Sequence, residues 1–408
     1  MKPPFQTKLY YGWVITITLA ITETISWGIV FYAFTVFITP MEAELGWSRG
    51  QLTGAFSLAL LITGAVAYPV GAWIDKHGAR WLMTIGSIGA SLLVIAWSQV
   101  TNLTSLYLIW AGLGLCAAAV LYDPAFAVVA IWFERRRSQA LAVITFAAGL
   151  ASTIFIPLSD YLLNAMGRRQ AVFSLGILLA CTTILPHALI LRRRPSDLGL
   201  VPDGEPLALG ADGKRPSPPI SISLRDALSG RTFWLITAAF GLTNLAAAAI
   251  RVHFIPFLID GGINASTAAY ASGSIGIMQV AGRAIFAPLD SRFSGKTMVI
   301  GVFALQAAAL ITLMFGAAYG ARTLARPSIV AELYGVAYYG RISSIMSTVL
   351  IIASTIAPVG AGLLYDWSGD YGMVIWLTLL FTILGIGMML FLRPDLLRRP
   401  TSVGAQIN

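Results

Sequence analysis

The sequence has 408 residues, of which 57% are hydrophobic and only 11% are charged, and its formal net charge is +9. Soluble globular domains carry about 25% charged residues, so this composition excludes an ordinary soluble protein. Apolar runs long enough to cross roughly 30 Å of hydrocarbon as helices recur along the whole chain, and the alternating pattern of a membrane barrel is absent. We therefore expect an all-α membrane protein.

The predicted membrane helices fall into two groups separated by a polar segment. The first half has six apolar runs, with approximate bounds 11–38, 50–74, 81–99, 103–130, 139–162 and 170–191. The second half has apolar runs near 232–258, 266–289, 297–320, 342–364 and 371–392. Because the intervening residues are rich in Pro, Gly and charge, the sequence predicts three units: an N-terminal six-helix bundle at 1–191, a cytoplasmic linker at 192–231 and a C-terminal bundle at 232–408.

Lysine and arginine are distributed unevenly between the predicted loops. If the N-terminus is cytoplasmic and the spans alternate as far as Lys296, the inside segments hold 16 of these residues and the outside loops hold three. This asymmetry follows the positive-inside rule, so the positive charge orients the protein and does not require a nucleic-acid partner. We expect a multi-pass protein of a bacterial inner (plasma) membrane with its N-terminus in the cytoplasm and the lipid bilayer around it.

The second half is short of one helix by comparison with the first. Between Arg80 and Gln139 there are 58 residues, whereas only 44 separate Lys296 from Arg341. We therefore predict a 12-helix plan in which one span is shortened or missing after Lys296, leaving 11 clear spans. Three alternatives remain open at this point: a cramped helical hairpin, a missing segment, or an inverted topology of the C-terminal part.

A loop motif follows the second predicted helix in the sequence "GAWIDKHGAR". Glycine permits close helix approach, an acid can cap or pair at a helix end, and the basic residues hold the loop on the inner side. The motif resembles the loop signature of the major facilitator superfamily, in which this loop acts in gating. The residues that carry it are Gly71, Asp75, Lys76, Gly78 and Arg80.

Further segments resemble the monocarboxylate-transporter-like branch of that superfamily, which includes bacterial oxalate/formate-type porters. They are "YYGWVI", "GWSRGQLTGAFSLALLITG", "IWFERRRSQALAVITFAAGLAS", "RRRPSDLGLVPDG" and "VHFIPFLIDGG". The resemblance implies a two-bundle fold with a substrate cavity at the bundle interface. The sequence departs from relatives at Ser291, since Asp290 is one position early for the second-half loop, and at the charged residues Glu23 and Asp123.

Arg283 lies within an apolar helix, in "IMQVAGRAIFAPL". An arginine within a span costs about 2.5 to 3.5 kcal/mol on insertion scales, so it is expected to face a partner or a watery cavity. Its planar guanidinium can hold a carboxylate through two parallel hydrogen bonds. In the family that the sequence resembles, an arginine of the eighth helix binds the substrate carboxylate. The alternative is a structural ion pair near the cytoplasmic end.

Two acids, Glu23 and Asp123, lie inside predicted spans and are candidates for proton coupling. A carboxyl group in a low-dielectric environment can exchange a proton near neutral pH, as a proton-coupled carrier requires. Pro124 interrupts the backbone ladder directly after Asp123, which favours a position beside a cavity. Alternatively these acids are hydrogen-bonded neutral groups, or ion pairs with Arg251 or Arg283.

The seventh predicted helix contributes "IRVHFIP", and aromatic residues accompany the charged candidates. Arg251 can be a second anion contact and His253 a proton relay, although Arg251 can equally snorkel and His253 can simply pack. Aromatic side chains can shape a small pocket, or they can anchor the membrane interface. The aromatic candidates are Tyr32, Tyr122, Tyr339 and Trp27.

The sequence lacks a phosphate-binding glycine-lysine loop, a His/Cys metal cluster and a nucleophile with a paired base. We therefore expect no enzyme, no cofactor and no metal site. The predicted function is secondary active transport of small organic monocarboxylate anions by alternating access, with a proton as the coupling ion, in a monomer. The alternatives are an efflux porter for lipophilic or cationic compounds, and a non-transporting receptor or degenerate family member.

Overall fold

The structure, a computed structural model, describes residues 10–133, 135–204, 223–290, 293–311, 326, 329–330, 333–334 and 339–392. Within the described helices, several side chains are outside the description, among them those of Asp75, Arg283 and Tyr339. All regular elements in these ranges are helical, and none of the residues in them forms a strand. The prediction of an all-α protein is confirmed for this part of the chain.

The first half of the chain forms eight α-helices and one π-helical segment. They are α1 (Tyr11–Trp27), the π segment (Gly28–Tyr32), α2 (Ala33–Leu45), α3 (Arg49–His77), α4 (Arg80–Ser98), α5 (Leu103–Val120), α6 (Tyr122–Trp132), α7 (Arg137–Gly149) and α8 (Ala151–Ile190). Helix α8 changes direction at Gly167, which has φ 77°, a left-handed value that suits glycine.

The linker and the second half supply the remaining elements. Two short 3₁₀ turns, Pro195–Leu198 and Pro202–Gly204, follow α8. The helices after them are α9 (Leu224–Ser229), α10 (Arg231–Asp260), α11 (Ala265–Asp290), α12 (Gly295–Ile311), α13 (Tyr339–Ser368) and α14 (Gly372–Leu390).

The bundle has two ends, which we name by their residues. At the linker end, the Tyr10 hydroxyl donates hydrogen bonds to the carbonyls of Trp132 at 2.9 Å and Val201 at 3.1 Å. At the Arg49 end, the α2–α3 connection lies beside the last residue of α10 and the α13–α14 connection. These two sets of contacts mark the opposite ends of the bundle.

Eight helical segments of the described residues are long and apolar enough to cross a membrane. One of them, Leu103–Trp132, was predicted as a single helix but consists of α5 and α6, separated by an extended residue at Leu121. Helix α12 has 17 residues, which is about 26 Å of helix and less than the hydrocarbon thickness. The total of 11 or 12 spans stays a prediction.

The direction of α12 and α13 bears on the region after Lys296. The Lys296 ammonium donates to the carbonyls of Leu390 and Leu392, so α12 starts at the linker end, where α14 terminates. Helix α13 also runs toward the Arg49 end, because its Ile351 lies at Gly64 and its Gly362 lies at Gly50. Parallel α12 and α13 do not fit an inverted topology, while the cramped-hairpin and missing-segment alternatives stay predictions.

Each half of the chain has its own apolar core. In the first half the aromatic rings of Phe34 and Trp110 are 4.6 Å apart, and Trp97 packs on Trp110 at 5.3 Å. In the second half Phe240 of α10 packs on Phe303 of α12 at 5.2 Å. Separate cores allow the halves to move as units, although the division at 191 and 232 stays a prediction.

Small residues let the two halves approach each other. Gly50 of α3 lies against Gly362 of α13, where a Cβ on Gly362 would meet the Gly50 Cα at 2.9 Å. On the other side of the bundle, the Thr153 hydroxyl of α8 donates to the Gly273 carbonyl of α11 at 2.7 Å. Close helix contact through small residues is a common means of packing in membranes. These contacts hold the halves together toward the Arg49 end.

Candidate functional site

A cavity of about 360 Å³ lies inside the bundle, between the two halves of the chain. Residues of α1, the π segment, α2, α3, α5 and α6 form one wall, and residues of α10 and α13 together with Arg326 form the other. This volume is in the range of small-molecule sites, which prefer interfaces between structural units. The cavity is therefore the candidate functional site.

The π segment gives the first wall its shape. Gly28 packs directly on the Phe155 ring of α8, where a Cβ would collide, so glycine permits this close approach. A π turn inserts one residue into the helix, which redirects the side chains beside it, and such turns are frequent at functional sites. Trp27, Phe31 and Tyr32 line the cavity at this point. Tyr32 was predicted as a pocket residue. The π turn was not predicted from the sequence.

The break between α5 and α6 brings Tyr122 and Asp123 into the same wall. Leu121 has the extended values φ −93° and ψ −161°, and Pro124 is in the first turn of α6, where its missing N–H costs no helical hydrogen bond. Asp123 lies in that same turn, where the helix dipole favours a negative charge. Its side chain is exposed although it is inside the bundle. The Tyr122 ring lies 5.0 Å from that of Trp27.

The second wall carries polar groups from α10 and α13. The Asn244 amide donates to the Leu350 carbonyl at 2.9 Å and to the Ser354 hydroxyl at 2.6 Å, so α13 fixes its orientation. Arg251, two turns further along α10, also lines the cavity. The structure thus puts Arg251 in the cavity wall, and its role there stays a prediction.

Arg326 is a cavity residue that the sequence did not indicate. It lies in the wall formed by the second half and interacts electrostatically with Asp123 of the first half. The count of lysine and arginine in the predicted loops stops at Lys296, and no motif surrounds Arg326, so nothing in the sequence distinguishes it from the other arginines.

Glu23 lies on α1, one turn before Trp27, and its side chain is completely buried. Neither carboxyl oxygen makes a well-formed hydrogen bond to a described residue, although the Trp27 indole N–H is close enough to interact with the carboxyl group. Burial without a partner favours the uncharged acid over the carboxylate. The adjacent Thr22 instead bonds His187 at 3.0 Å, so His187 is a buried structural residue.

The Arg49 end of the cavity is closed by an ion-pair network between the halves. Arg49 of α3 holds both oxygens of Asp260 of α10, at 2.5 and 2.9 Å, and binds Glu42 of α2 at 2.8 Å. Its guanidinium also lies 4.0 Å from the centre of the Tyr365 ring, a cation–π contact. The backbone N–H of Gly50 donates to Asp366 at 3.1 Å. The network joins both halves at one place.

His253 belongs to this closure. Its Nε2 lies 2.8 Å from the Pro358 carbonyl, which can only accept, so Nε2 carries the proton. Nδ1 therefore accepts from the Tyr371 hydroxyl at 2.8 Å, and that oxygen in turn accepts from Arg49 at 3.0 Å. Burial raises the pKa of Tyr371 well above its usual range, so its proton is retained. His253 is not a cavity-lining residue in this conformation but part of the closed end.

Several predicted residues lie outside the described part of the structure. The side chains of Arg283, Tyr339 and Asp75 are among them, and so is Ser291. The Cα of Arg283 is nevertheless within α11, seven residues after Gly276, and this spacing puts both positions on one helix face. Gly276 packs against Ser152 of α8, where a Cβ would come within 2.6 Å of the hydroxyl.

The loop motif between α3 and α4 makes its described contacts within the first half. Arg80 donates to the Ala188 carbonyl at 2.7 Å, and Arg193 donates to the Lys76 carbonyl at 2.5 Å. Gly78 has φ 80° and lies against Arg193, so glycine is required there for both conformation and space. Gly71 has open space beside it. The loop is thus fixed to α8 and the linker.

The described residues contain no group of three or more His, Cys, Asp or Glu side chains that could hold a metal ion. A bundle whose two halves enclose a cavity and are joined at one end by an ion-pair network is the architecture of a membrane transporter. The family model of the Major Facilitator Superfamily matches residues 18–325. The chain belongs to this superfamily, and the resemblance drawn from its motifs is confirmed.

The chain is similar in sequence, at low identity, to several monocarboxylate transporters. Monocarboxylate transporter 13 of Bos taurus is 25% identical over 406 residues, covering 94% of this chain and 89% of the relative. Monocarboxylate transporter 11 of Homo sapiens is 28% identical over 271 residues, covering 64% and 52% of the two chains. The uncharacterized MFS-type transporter YcxA of Bacillus subtilis (strain 168) is 20% identical, covering 89% and 90%.

A solved structure shares the fold. The crystal structure of a bacterial homolog to the human lysosomal transporter Spinster, in an inward-facing and occupied conformation, superposes with a TM-score of 0.71. The superposition covers 94% of this chain and 97% of that one at 13% sequence identity. At this identity the likeness extends to the fold alone.

Proposed function

We propose that this protein is a secondary active transporter of small organic monocarboxylate anions, coupled to protons and operating by alternating access. The observation that carries the proposal is the cavity between the halves. Arg251 and Arg326 of the second half and Asp123 of the first half all line it. An anion needs positive charge, and a coupled proton needs a titratable acid, in the same chamber. The similarity to monocarboxylate transporters supports this class of substrate.

Alternating access follows from the asymmetry of the two ends. The Arg49 end is held by bonds between the halves, whereas Asp123, which lies nearer the linker end, is exposed. Substrate and protons therefore reach the cavity from the linker end in this conformation. The distribution of lysine and arginine supports a cytoplasmic linker end, so we infer an inward-open state with a cytoplasmic N-terminus.

Arg283 is the proposed anchor of the substrate carboxylate. Its position in α11 shares a helix face with Gly276, which packs on α8, so this face belongs to the contact between the two halves. Arginine within a span needs a negative partner, and a visiting carboxylate supplies one. Arg251 is the proposed second anion contact. Tyr32, Tyr122 and Tyr339 complete the proposed pocket through phenol hydrogen bonds and ring surfaces.

Asp123 and Glu23 are the proposed proton-coupling residues, and His253 links coupling to the closure of the Arg49 end. Asp123 meets water in the cavity, so it can exchange a proton with the solution on the open side. Glu23 is buried behind Trp27 and interacts electrostatically with Asp123, so two negative charges at these positions oppose each other. The loop residues Gly71, Asp75, Lys76, Gly78 and Arg80 are the proposed gate at the linker end.

A second candidate function is the efflux of lipophilic cations. The aromatic surfaces of Trp27, Phe31 and Phe56 in the cavity wall favour it, since flat cations bind to aromatic rings. Asp123 and Glu23 would then supply the negative charge. Arg251 and Arg326 in the same chamber oppose a cationic cargo, which is why we rank this function second.

Flux in proteoliposomes tests the first proposal against the second. Purified protein is reconstituted, and uptake of labelled lactate and pyruvate is measured with and without an inward pH gradient, alongside export of a fluorescent lipophilic cation. We expect carboxylate uptake that the gradient accelerates, and loss of that uptake in Arg283→Ala because the fork that holds the carboxylate is removed.

Arg169→Ala is the matched control, since Arg169 is half exposed and lies 3.6 Å from Glu44 at the Arg49 end, far from the cavity. It should transport like the unaltered protein. Carboxylate uptake that survives Arg283→Ala would remove Arg283 from the site. Cation export without carboxylate uptake would replace the first proposal with the second, and carboxylate binding without any flux would indicate a receptor.

A further inference from the structure

Two opposite charges face the cavity from different halves of the chain. Asp123 is in the first turn of α6, and Arg326 is in the segment after α12. Both side chains line the cavity, and they attract each other electrostatically. The pair therefore spans the interface that must rearrange when the halves tilt.

The surroundings of Asp123 contain a few further charged or titratable groups. Glu23 of α1 interacts with Asp123, and Arg251 of α10 lines the same cavity. The phenols of Tyr32 and Tyr122 lie in the wall as well. Arg326 lines the same cavity as Asp123 and attracts its carboxylate electrostatically.

A substrate carboxylate and the Asp123 carboxylate compete for the same guanidinium. While Asp123 is ionised, it neutralises Arg326 and repels an incoming anion. When Asp123 takes up a proton from the cavity water, the repulsion disappears and the attraction to Arg326 weakens. Binding of a proton and binding of an anion therefore strengthen each other, and by linkage the effect is reciprocal.

We propose that Arg326 is a second substrate-binding arginine, which holds the anion's carboxylate only when Asp123 carries a proton. This inference rests on the proposed function, and it names the residues through which proton and anion are coupled. Arg283 then contributes affinity at all pH values, whereas Arg326 contributes the part that depends on pH. Release follows the same steps in reverse. The proton leaves Asp123 for the solution, and the ionised Asp123 side chain then pairs with Arg326 again and displaces the substrate anion.

The KM for lactate, measured by equilibrium exchange in proteoliposomes between pH 5.5 and 8.5, tests this pairing. Equal pH on both sides removes the driving force, so KM reports binding. In the unaltered protein KM should rise with pH, approaching about tenfold per pH unit where a single proton is required. Asp123→Asn should give a KM that is low and independent of pH, because its amide cannot ionise.

Arg326→Ala should give a raised KM at low pH and a much flatter pH dependence. Arg326→Lys, which keeps the charge without the planar fork, should restore the pH dependence with a weaker affinity. In the double variant Asp123→Asn with Arg326→Ala, the KM at low pH should equal that of Arg326→Ala alone, because Asp123 is already uncharged there and the asparagine changes nothing further. Arg169→Ala is the control for loss of an arginine, and elution as a single species in size-exclusion chromatography confirms that each variant is folded.

Different outcomes overturn the pairing and the proposed function. Lactate exchange by Asp123→Asn with the pH dependence of the unaltered protein contradicts the pairing while leaving carboxylate transport intact. An unchanged KM at low pH in Arg326→Ala contradicts it as well. Absence of carboxylate exchange by the unaltered protein at every pH contradicts the proposed function, and the pairing falls with it.

Discussion

Replacement of Arg49 by alanine should open the Arg49 end of the cavity. Across the interface, Arg49 makes two bonds to Asp260 and one to Tyr371, while its bond to Glu42 stays within the first half. Loss of a fully buried ion pair costs about 3 to 5 kcal/mol, and loss of an exposed one costs about 0.2 to 1 kcal/mol. Arg49 is 5% exposed and Asp260 is 32% exposed, so we adopt about 2 kcal/mol, which is about a 30-fold change in the ratio of open to closed populations.

A reporter cysteine can measure this opening. Thr35 lines the cavity, so Thr35→Cys in a background lacking Cys116 and Cys181 should react with an impermeant maleimide added from the Arg49 side only when that end opens. When opening and closing are fast compared with labelling, the labelling rate follows the open population. We expect Arg49→Ala to raise the open population from about 3% to about 50% and so to accelerate labelling by about 15-fold.

Arg168→Ala provides a matched control for this experiment. Arg168 holds Glu44 through two bonds of 2.6 and 2.8 Å, and the exposed fractions of the two side chains are 3% and 39%. The geometry and burial match those of the Arg49–Asp260 pair, but both partners belong to the first half. Equal acceleration in both variants would mean that general loosening, and not the bond between the halves, controls access. No acceleration in Arg49→Ala would refute the closure.

Three further predictions concern the same interface and the core. Gly276→Leu should speed labelling of the same reporter, because its side chain would collide with Ser152 and separate α8 from α11; a rate equal to that of the unaltered protein would contradict this. His253→Ala should speed labelling by at most about fivefold, since it removes the acceptor that orients the Tyr371 hydroxyl for its bond to Arg49, and that bond between the halves contributes about 1 kcal/mol. Trp110→Ala removes a fully buried ring and should cost about 3 to 5 kcal/mol, which would appear as a lower melting temperature in detergent without a change in labelling specificity.

The helices themselves could be predicted from the sequence because each satisfies its backbone locally and needs only an apolar run. The predicted helix at 50–74 appears as Arg49–His77, and that at 232–258 appears as Arg231–Asp260. The start of α3 has a local cause, since Ser48 and Gln51 cap it reciprocally. The break at Leu121 was missed, because Pro124 alone does not specify at which residue a helix is interrupted.

The contacts between the halves could not be predicted, since they join residues far apart in the sequence. Arg49 and Asp260 are separated by 211 positions, and each was expected simply to end a helix. Arg326 shows a different reason. Counting arginines as markers of the cytoplasmic side treats them as equivalent, whereas one of them lies in the cavity wall. Only the folded arrangement distinguishes an orienting charge from a binding charge.

Turnover requires that neither end of the carrier close too strongly, and the strength of the Arg49 network sets the closure of one end. A closure of about 2 kcal/mol leaves the opposite conformation populated at about 3%, which is enough for turnover. A closure several times stronger would trap the cavity on one side. Asp260 is partly exposed, and water therefore weakens its bond to Arg49.

If Asp123 and Arg326 act as proposed, a bound proton and anion together change the net charge at the contact between the halves, midway between the two ends. A change of about 2 kcal/mol would make the two conformations equally populated, and a change of about 4 kcal/mol would invert the preference. Partial exposure of the Arg49–Asp260 pair is thus what keeps its strength within the range that a substrate can overcome.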